Sequence, residues 1–207
     1  MQHKISSLGI RLEYLHRDCK PPIVHRDIKS ANIILSENFE SKLADFGLSR
    51  TFPTECGTYV STVVAGTPGY LDPEVHVTDR YRLNEKRDIY SFAVVLLQII
   101  TRQPVIRKKE NENSHITQWV TNVLAKDDIK NIIDPSLEGD FDIISAKMAV
   151  ELAVTFASQT SAKRPTMNEV VTELKECLAM ELARKRMVVV LISLSIQMIY
   201  NDGEFVY

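Results

Sequence analysis

Cysteine is scarce in this sequence, and neither sign of charge dominates it. The 207 residues include three cysteines, which lie far apart and show neither C-x-x-C nor histidine-paired spacing. This pattern excludes a disulfide framework and a zinc site as the basis of the fold, and it predicts a reducing, cytosolic environment. The net charge is -2 at pH 7, so the sequence lacks the strongly basic character that nucleic-acid binding requires. The length fits one large domain, or the larger lobe of a two-lobed domain.

The two ends of the chain lack the long apolar runs of a signal peptide or a membrane span. The amino terminus, MQHKISSLGIRLEYLHRD, contains no apolar h-region and does not predict a secretory signal. Near the other end, Met187 to Tyr200 (MVVVLISLSIQMIY) is strongly apolar, but it is shorter than the ~20 residues that a transmembrane helix needs. The run favours a tail that packs on the domain, or an aggregation-prone segment without a defined structure, over membrane insertion.

Most of the remaining sequence has the periodicity of helices. Leu8 to Arg17 predicts the end of a helix, which the sequence CKPP stops. Asp88 to Thr101 is apolar almost all round, which predicts a helix buried in the middle of the fold. Thr166 and Glu169 form a capping-box pattern that predicts the start of a later helix. Apolar residues recur at helical spacing in three segments: Leu8, Leu12 and Leu15; Ile144, Met148, Leu152 and Phe156; and Met167, Val170, Val171, Leu174 and Leu178.

Short strands and one long loop complete the predicted fold. Ile33 to Leu35 and Ser41 to Leu43 are strand candidates separated by the turn-like sequence SENFE. Asp45 to Glu74 is rich in glycine, threonine and proline without a sustained period, which predicts a long loop, and long loops inside compact domains are usually functional. We therefore expect a mainly α (α+β) fold, in which a helical body carries a short β-hairpin and a long loop.

Residues with the chemistry of phosphate transfer occur in two short motifs, HRDIKSAN from His25 and DFG from Asp45. Phosphoryl transfer from ATP demands positioning and charge neutralisation more than covalent chemistry. Asp27 supplies a carboxylate that can accept the proton of an attacking hydroxyl, and Lys29 supplies a point charge for the transferring phosphate. Asn32 and Asp45 supply the hard oxygen ligands that Mg²⁺ prefers. His25 is predicted to be a packed structural residue rather than an acid or base.

Together these motifs resemble the signature set of eukaryotic protein kinases, and specifically their carboxyl-terminal large lobe. HRDIKSAN resembles the catalytic loop and DFG the metal-binding triplet, and LDPE at Leu71 to Glu74 resembles the A-P-E triplet with Asp72 in the place of alanine. IVHRDIKSANIIL, STVVAGTPGYLDPE, EKRDIYSFAVVLLQIIT and KRPTMNEVVTELKECL are similar to plant receptor-like serine/threonine kinases, particularly those with leucine-rich-repeat and malectin-like ectodomains. The resemblance implies a kinase large lobe with a long activation loop over residues 1–186, followed by an atypical hydrophobic tail at 187–207.

The resemblance implies roles for individual residues of the site. It implies catalytic roles for Asp27, Lys29 and Asn32, ATP-binding roles for Lys29, Asn32 and Asp45, and Mg²⁺ ligation by Asn32 and Asp45. It also implies that Thr67, in GTPGY, contacts Asp27 and Lys29. In the family that the sequence resembles, the combination of Lys29 and GTPGY is associated with phosphorylation of serine or threonine rather than tyrosine. ATP and Mg²⁺ are therefore the expected cofactors.

A second set of implied residues concerns regulation. Arg26, beside the catalytic aspartate, implies control by phosphorylation of the activation loop, because phosphate oxygens pair with arginine. Thr62 is the leading candidate for the modified residue, with Ser61 and Thr58 behind it. Simple polarity of the loop is the alternative explanation for these hydroxyl groups.

A third set concerns the contacts that hold the site together. Asp88 resembles the buried helix aspartate that holds the backbone of the catalytic loop. Glu74 and Arg164 resemble an ion pair that ties the end of the activation segment to the helical body. The alternative for that pair is two separate, solvated surface charges.

The sequence lacks the kinase motifs that cover ATP from the opposite side. No G-x-G-x-x-G occurs, and no V-A-I-K-like strand precedes the catalytic loop. We therefore expect the small lobe, with its strand lysine and helix glutamate, to be missing. Ala93 and Gln98 also depart from the family, which usually has glycine and an acidic residue at these positions. These features predict a truncated gene product or a truncated gene model, and the lobe alone would expose apolar surface where a small lobe would pack.

Three functional interpretations follow. The first is a serine/threonine protein kinase of the receptor-like type, whose large lobe alone is expected to be inactive because lost ATP contacts remove the positioning that supplies most of the rate. The second is a catalytically inactive kinase-like fragment that acts as a protein-binding module, and the third is a product without function. The expected partner is a protein substrate or a partner kinase, with membrane attachment only through segments outside this sequence. The expected location is the cytoplasm, or the cytoplasmic side of the plasma membrane if the chain is part of a receptor-like kinase.

Overall fold

A computed structural model of the chain describes residues 6–37, 40–51, 64–76, 83–108, 113–137 and 143–183. The predicted phosphorylation candidates Thr58, Ser61 and Thr62 lie outside these residues, as does the hydrophobic tail at 187–207. Within the described residues the fold is mostly helical, as predicted. The α-helices are α1 (Ser6–Glu13), α2 (Lys86–Thr101), α3 (Ile116–Leu124), α4 (Ile143–Phe156) and α5 (Met167–Ala183).

The first helix ends where the sequence predicts. α1 continues into one π-helical turn, Tyr14–Asp18, and Cys19 N–H closes that turn on the Tyr14 carbonyl. Its apolar stripe is buried, as predicted: Leu8, Leu12 and Leu15. α1 packs against α5 at Gly9, where a Cβ atom would lie 2.8 Å from Val171 Cγ2. Glycine is therefore what permits the two helices to approach this closely.

α2 is the central helix of the fold, and it confirms the prediction of a buried apolar segment. Ile89, Ala93 and Leu97 are fully buried, and the helix contacts both α3 and α4. No glycine or proline interrupts it, and it ends where Arg102 adopts a left-handed conformation and donates its N–H to the Gln98 carbonyl. Ala93, which departs from the glycine typical of kinases, fits inside this packed helix.

The buried face of α4 matches the predicted one only in part. Phe156 is fully buried and Leu152 packs against the core, as predicted. Ile144, predicted to be part of an apolar stripe, is 60% exposed, whereas Ala146, Val150 and Ala153 are buried. A strict four-residue repeat drifts around a helix that has 3.6 residues per turn, so Ile144 and Phe156 cannot share one face. The small residues in the actual face allow α4 to pack closely on α2.

The capping box of α5 is confirmed. Thr166 donates both its N–H and its hydroxyl to Glu169 Oε2, at 2.6 and 2.8 Å, and Glu169 N–H returns a longer bond of 3.4 Å to Thr166 Oγ1. The hydrogen bonds from Thr166 lower the pKa of Glu169 below its ordinary value. The predicted apolar face of this helix also packs into the core, with Met167, Val170 and Val171 buried.

Six short strands form three separate antiparallel pairs within the described residues: β1 (Ile23–Val24) with β4 (Arg50–Thr51), β2 (Ile33–Leu35) with β3 (Ser41–Leu43), and β5 (Ile106–Arg107) with β6 (Ser114–His115). The β2–β3 hairpin has the predicted bounds, with Ile33 opposite Leu43. It leads the chain from the HRDIKSAN motif directly into DFG. None of the helices that the structure describes is both long and apolar enough to cross a bilayer.

Candidate active site

Asp88, on the buried helix α2, holds the backbone of the HRD triplet at residues 25–27. Its Oδ2 accepts the N–H of His25 at 2.7 Å, and its Oδ1 accepts the N–H of Arg26 at 2.8 Å. Arg26 has φ +73°, a strained conformation for a non-glycine residue, and these bonds help to maintain it. His16, which sequence reasoning missed, donates Nε2–H to the same Oδ2 at 2.9 Å.

His25 has a structural role, as the sequence predicts. It is fully buried, its Nε2 bonds the Ala44 carbonyl at 3.0 Å, and its Nδ1 accepts the N–H of Asp27 at 3.3 Å. Because a backbone N–H can only donate, Nδ1 is the acceptor and Nε2 carries the proton. The ring also packs edge-on against Phe46, with centroids 4.8 Å apart. His25 therefore connects the catalytic loop to the DFG segment.

Asp27 lies at the centre of a polar cluster in which every contact supports an ionised carboxylate. Its Oδ1 accepts the Thr67 hydroxyl at 2.6 Å, and its Oδ2 accepts Lys29 Nζ at 2.8 Å and Asn32 Nδ2 at 3.2 Å. Burial alone would raise the pKa of Asp27, but the bonds from Lys29, Thr67 and Asn32 and the charge of Lys29 outweigh that effect and lower the pKa below its ordinary value. The carboxylate is therefore held ready to accept a hydrogen bond.

Thr67 connects the catalytic loop to the segment that precedes LDPE. Lys29 Nζ donates to Thr67 Oγ1 at 2.9 Å, so Asp27, Lys29 and Thr67 form a closed triangle of contacts, as the resemblance implies. Tyr70 adds a second connection that the sequence did not reveal. Its hydroxyl donates to Gln98 Oε1 at 2.7 Å and lies 3.2 Å from Ser30 Oγ.

Asn32 and Asp45 present oxygen atoms that fit a hard cation. Asn32 uses its Nδ2 group for two bonds to Asp27, and none of the residues that the structure describes donates a hydrogen bond to its Oδ1. Asp45 is exposed and has φ +60°, and among the residues that the structure describes its carboxylate accepts a hydrogen bond only from Gly47 N–H, at 3.3 Å. Ala44 N–H bonds the Asn32 carbonyl at 2.9 Å, which keeps the two motifs adjacent. Carboxylate and amide oxygens of this kind are suitable ligands for Mg²⁺.

The predicted ion pair between Glu74 and Arg164 is wrong. Arg164 instead makes a bidentate pair with Asp72, with N···O distances of 2.6 and 2.7 Å. Glu74 accepts the backbone N–H of Ser161 at 3.0 Å. Asp72 is almost fully buried and can neutralise the buried guanidinium at close range. The activation segment is therefore tied to the helical body by two acidic residues with different partners.

An apolar groove of about 690 Å³ lies beside the DFG segment. Its lining includes Ile10, Tyr14 and Phe46, whose side chains are 41%, 57% and 47% exposed. Exposed apolar residues are ordinary when scattered, but several around one groove indicate an interaction surface.

Comparison with known proteins agrees with this geometry. The family model for the protein kinase domain matches residues 1–174. A receptor-like protein kinase of Arabidopsis thaliana is 60% identical over 173 residues, which cover 84% of this chain and 19% of that protein. The LRR receptor-like serine/threonine-protein kinase IOS1 of the same plant is 58% identical over 173 residues, with the same coverage. The chain thus spans about a fifth of the length of these relatives.

Protein kinases use ATP and Mg²⁺ and act on protein substrates. The HRD, DFG and GTPGY segments that the structure brings together all lie inside the matched region. The chain therefore belongs to the protein kinase family, and it is similar to plant receptor-like serine/threonine kinases.

Proposed function

We propose that this chain carries the catalytic centre of a receptor-like serine/threonine protein kinase. The observation that supports this most directly is the cluster around Asp27, whose carboxylate contacts Lys29, Thr67 and Asn32 at 2.6 to 3.2 Å. Such a cluster provides a proton acceptor, a cation for the transferring phosphate and a link to the activation segment. An ordinary surface ion pair between Asp27 and Lys29 would not include the additional bonds from Thr67 and Asn32.

In the proposed reaction, the oxygen of a serine or threonine hydroxyl forms a bond to the γ-phosphorus of ATP. The bond from that phosphorus to the β–γ bridging oxygen breaks, and ADP leaves. Asp27 accepts the hydroxyl proton, because its neighbours keep the carboxylate ionised. Lys29 lies 2.8 Å from Asp27 and would neutralise charge on the transferring group.

Asn32 and Asp45 are the residues that we propose to hold Mg²⁺. The Oδ1 atom of Asn32 and the exposed Asp45 carboxylate are the oxygens available for this role. When bound, the ion neutralises charge on the phosphate oxygens. The short β2–β3 hairpin and the Ala44 bond to Asn32 keep these two residues close to each other.

The test is transfer of labelled phosphate from ATP and Mg²⁺ to dephosphorylated casein. The sequence offers a matched control, because the triplet His-Arg-Asp occurs twice, at residues 16–18 and 25–27. Asp18 in the first triplet is exposed, whereas Asp27 is 5% exposed. Although the lost ATP contacts predict an inactive large lobe, the intact cluster around Asp27 leads us to expect measurable transfer by the wild-type chain. We expect Asp27→Asn to abolish that transfer and Asp18→Asn to leave it unchanged. Transfer that survives Asp27→Asn, or that is absent from the folded wild-type chain, contradicts the proposal.

The apolar groove supports a second candidate, a non-catalytic module that binds other kinases. A groove lined by the exposed side chains of Ile10, Tyr14 and Phe46 is suited to a protein partner. The test is co-migration of the chain with the purified kinase domain of a receptor-like relative in size-exclusion chromatography. Binding that Tyr14→Ser weakens and that Asp27→Asn leaves unchanged supports this candidate, and the absence of co-migration contradicts it.

For the location, the similarity to receptor-like kinases supports the cytoplasmic side of the plasma membrane. ATP is the phosphate donor of the proposed reaction and is available in the cytosol. Fractionation of plant cells that express the full coding sequence, with an antibody against α5, tests this assignment. Recovery of the protein in the secreted fraction contradicts it.

A further inference from the structure

Residues 67–70 form a tight turn beside the catalytic aspartate. Tyr70 N–H donates to the Thr67 carbonyl with an N···O distance of 3.1 Å, and Gly69 has φ +90°. Proline at the second position and glycine with positive φ at the third define a type II β-turn. A Cβ atom at Gly69 would also lie 2.7 Å from Val105 Cγ1, so the turn fits closely against the segment that follows α2.

His115 holds the peptide unit that closes this turn. Its Nδ1 accepts the N–H of Thr117 at 3.3 Å, which leaves the proton on Nε2, and Nε2 donates to the Gly69 carbonyl at 2.7 Å. The Gly69 carbonyl and the Tyr70 N–H belong to the same planar peptide unit. The bond from His115 therefore fixes the orientation of the N–H group that reaches back to Thr67.

His115 is itself held in a well-packed frame. It pairs with Ile106 across the β5–β6 ladder and caps the amino terminus of α3. The adjacent Arg107 lies over the ring of Trp119, 3.9 Å from its centroid, which ties β5 to α3. The turn is thus anchored to the helical body at a point that is remote in sequence from the catalytic loop.

We infer that His115 is a positioning residue for the acceptor peptide of the kinase reaction; this rests on the function proposed above. The first residue of the turn, Thr67, contacts Asp27 and Lys29, while Pro68 is exposed. An acceptor hydroxyl must come within hydrogen-bond reach of Asp27, so its peptide passes over Thr67 and Pro68. His115 acts on that surface through Gly69 without touching the reacting atoms.

The experiment compares three variants of the full chain by amide hydrogen exchange and by binding of fluorescein-labelled dephosphorylated casein. His115→Phe keeps a ring but removes the donor, whereas His115→Gln keeps a donor. Thr121→Val is the matched control, because it removes a 2.8 Å bond to the Thr117 carbonyl on the same helix without contacting the turn. The Ala44 amide, bonded to Asn32 at 2.9 Å, reports whether the catalytic loop remains folded.

We expect His115→Phe to speed exchange of the Tyr70 amide and to raise the Kd for casein, each by roughly three- to tenfold, the effect of one net hydrogen bond. His115→Gln restores both values, and Thr121→Val leaves both unchanged. A His115→Phe chain that matches Thr121→Val in either measurement overturns the inference. A change at Ala44 of the same size also overturns it, because the effect would then be general unfolding.

Failure of the kinase proposal is distinguishable from failure of this inference. The Asp27→Asn transfer assay decides whether the chain transfers phosphate, and neither exchange nor casein binding requires transfer. If the chain transfers no phosphate but His115→Phe changes both exchange and casein binding, the proposed reaction is contradicted and the peptide-positioning role of His115 is supported.

Discussion

Arg164 pairs with Asp72 through two parallel hydrogen bonds, at 2.6 and 2.7 Å, in a site from which solvent is almost excluded. The guanidinium also lies 5.0 Å from the ring centroid of Tyr90 and bonds two backbone carbonyls. Among the residues that the structure describes, its only ion-pair partner is one carboxylate, two residues before Glu74. Each of the two acidic residues can therefore be tested separately.

Asp72→Asn should destabilise the fold by about 3 to 5 kcal/mol, because it leaves the buried Arg164 without a compensating charge. The measurement is the free energy of unfolding from urea titration at neutral pH. Glu74→Gln is the matched control and should lower that free energy by about 1 kcal/mol or less, since an amide oxygen can still accept the N–H of Ser161. Equal effects of the two substitutions would contradict the assignment of Asp72 as the partner.

Thr67→Val should raise the pKa of Asp27, because the hydroxyl bond at 2.6 Å favours the ionised carboxylate. Titration of the Asp27 side-chain carbon resonance by NMR measures the change. In the wild type the lowered pKa stabilises the fold at pH above the unfolded value of ~3.9, and this contribution is lost as the pH falls from there through the folded pKa. Thr67→Ser should retain the wild-type titration, and a variant Thr67→Val that also retains it would contradict the prediction.

Gly9→Ala should destabilise the packing of α1 on α5 by about 1 kcal/mol, because overpacking outweighs the gain in helix propensity. The new methyl group would meet Val171 Cγ2 at 2.8 Å. The double variant Gly9→Ala, Val171→Ala should lose less stability than the two single changes added together. Additive losses in thermal unfolding would show that the two residues do not meet.

Ile10→Ser should reduce binding of an apolar fluorescent dye to the purified chain, because Ile10 is 41% exposed in the groove beside DFG. Ile144→Ser removes the same side chain from α4, where it is 60% exposed and does not line that groove. It should therefore leave dye binding almost unchanged. An equal reduction in both variants would indicate that the dye reports exposed isoleucine in general.

Sequence reasoning succeeded where the determining interactions are local. The Thr166–Glu169 capping box, the strand bounds Ile33–Leu35 and Ser41–Leu43, and the apolar length of α2 each depend on residues close together in the chain. These elements need no knowledge of how distant segments pack. The contact of Thr67 with Asp27 spans 40 residues, and the family resemblance rather than any local interaction implied it.

The misses involve partners distant in sequence. Asp72 and Glu74 lie two positions apart in the sequence, and the packing of distant segments determines that Arg164 pairs with Asp72. His16, Tyr70 and His115 each act on the site through bonds that span at least 28 residues. Phe156 of α4 was predicted correctly, but Ala146 and Ala153 were missed because small residues pack by shape, which a search for large apolar side chains does not detect.

The bonds from Asp88 go to main-chain N–H groups of His25 and Arg26 and not to their side chains. Two peptide units of the catalytic loop are therefore held by a single carboxylate on the buried helix α2, and the His25 ring adds a bond to the next one, the N–H of Asp27. A protein engineer who grafts this loop onto another scaffold would have to transplant the helix with it. The loop carries the reactive groups, but Asp88 on α2 holds its backbone in place.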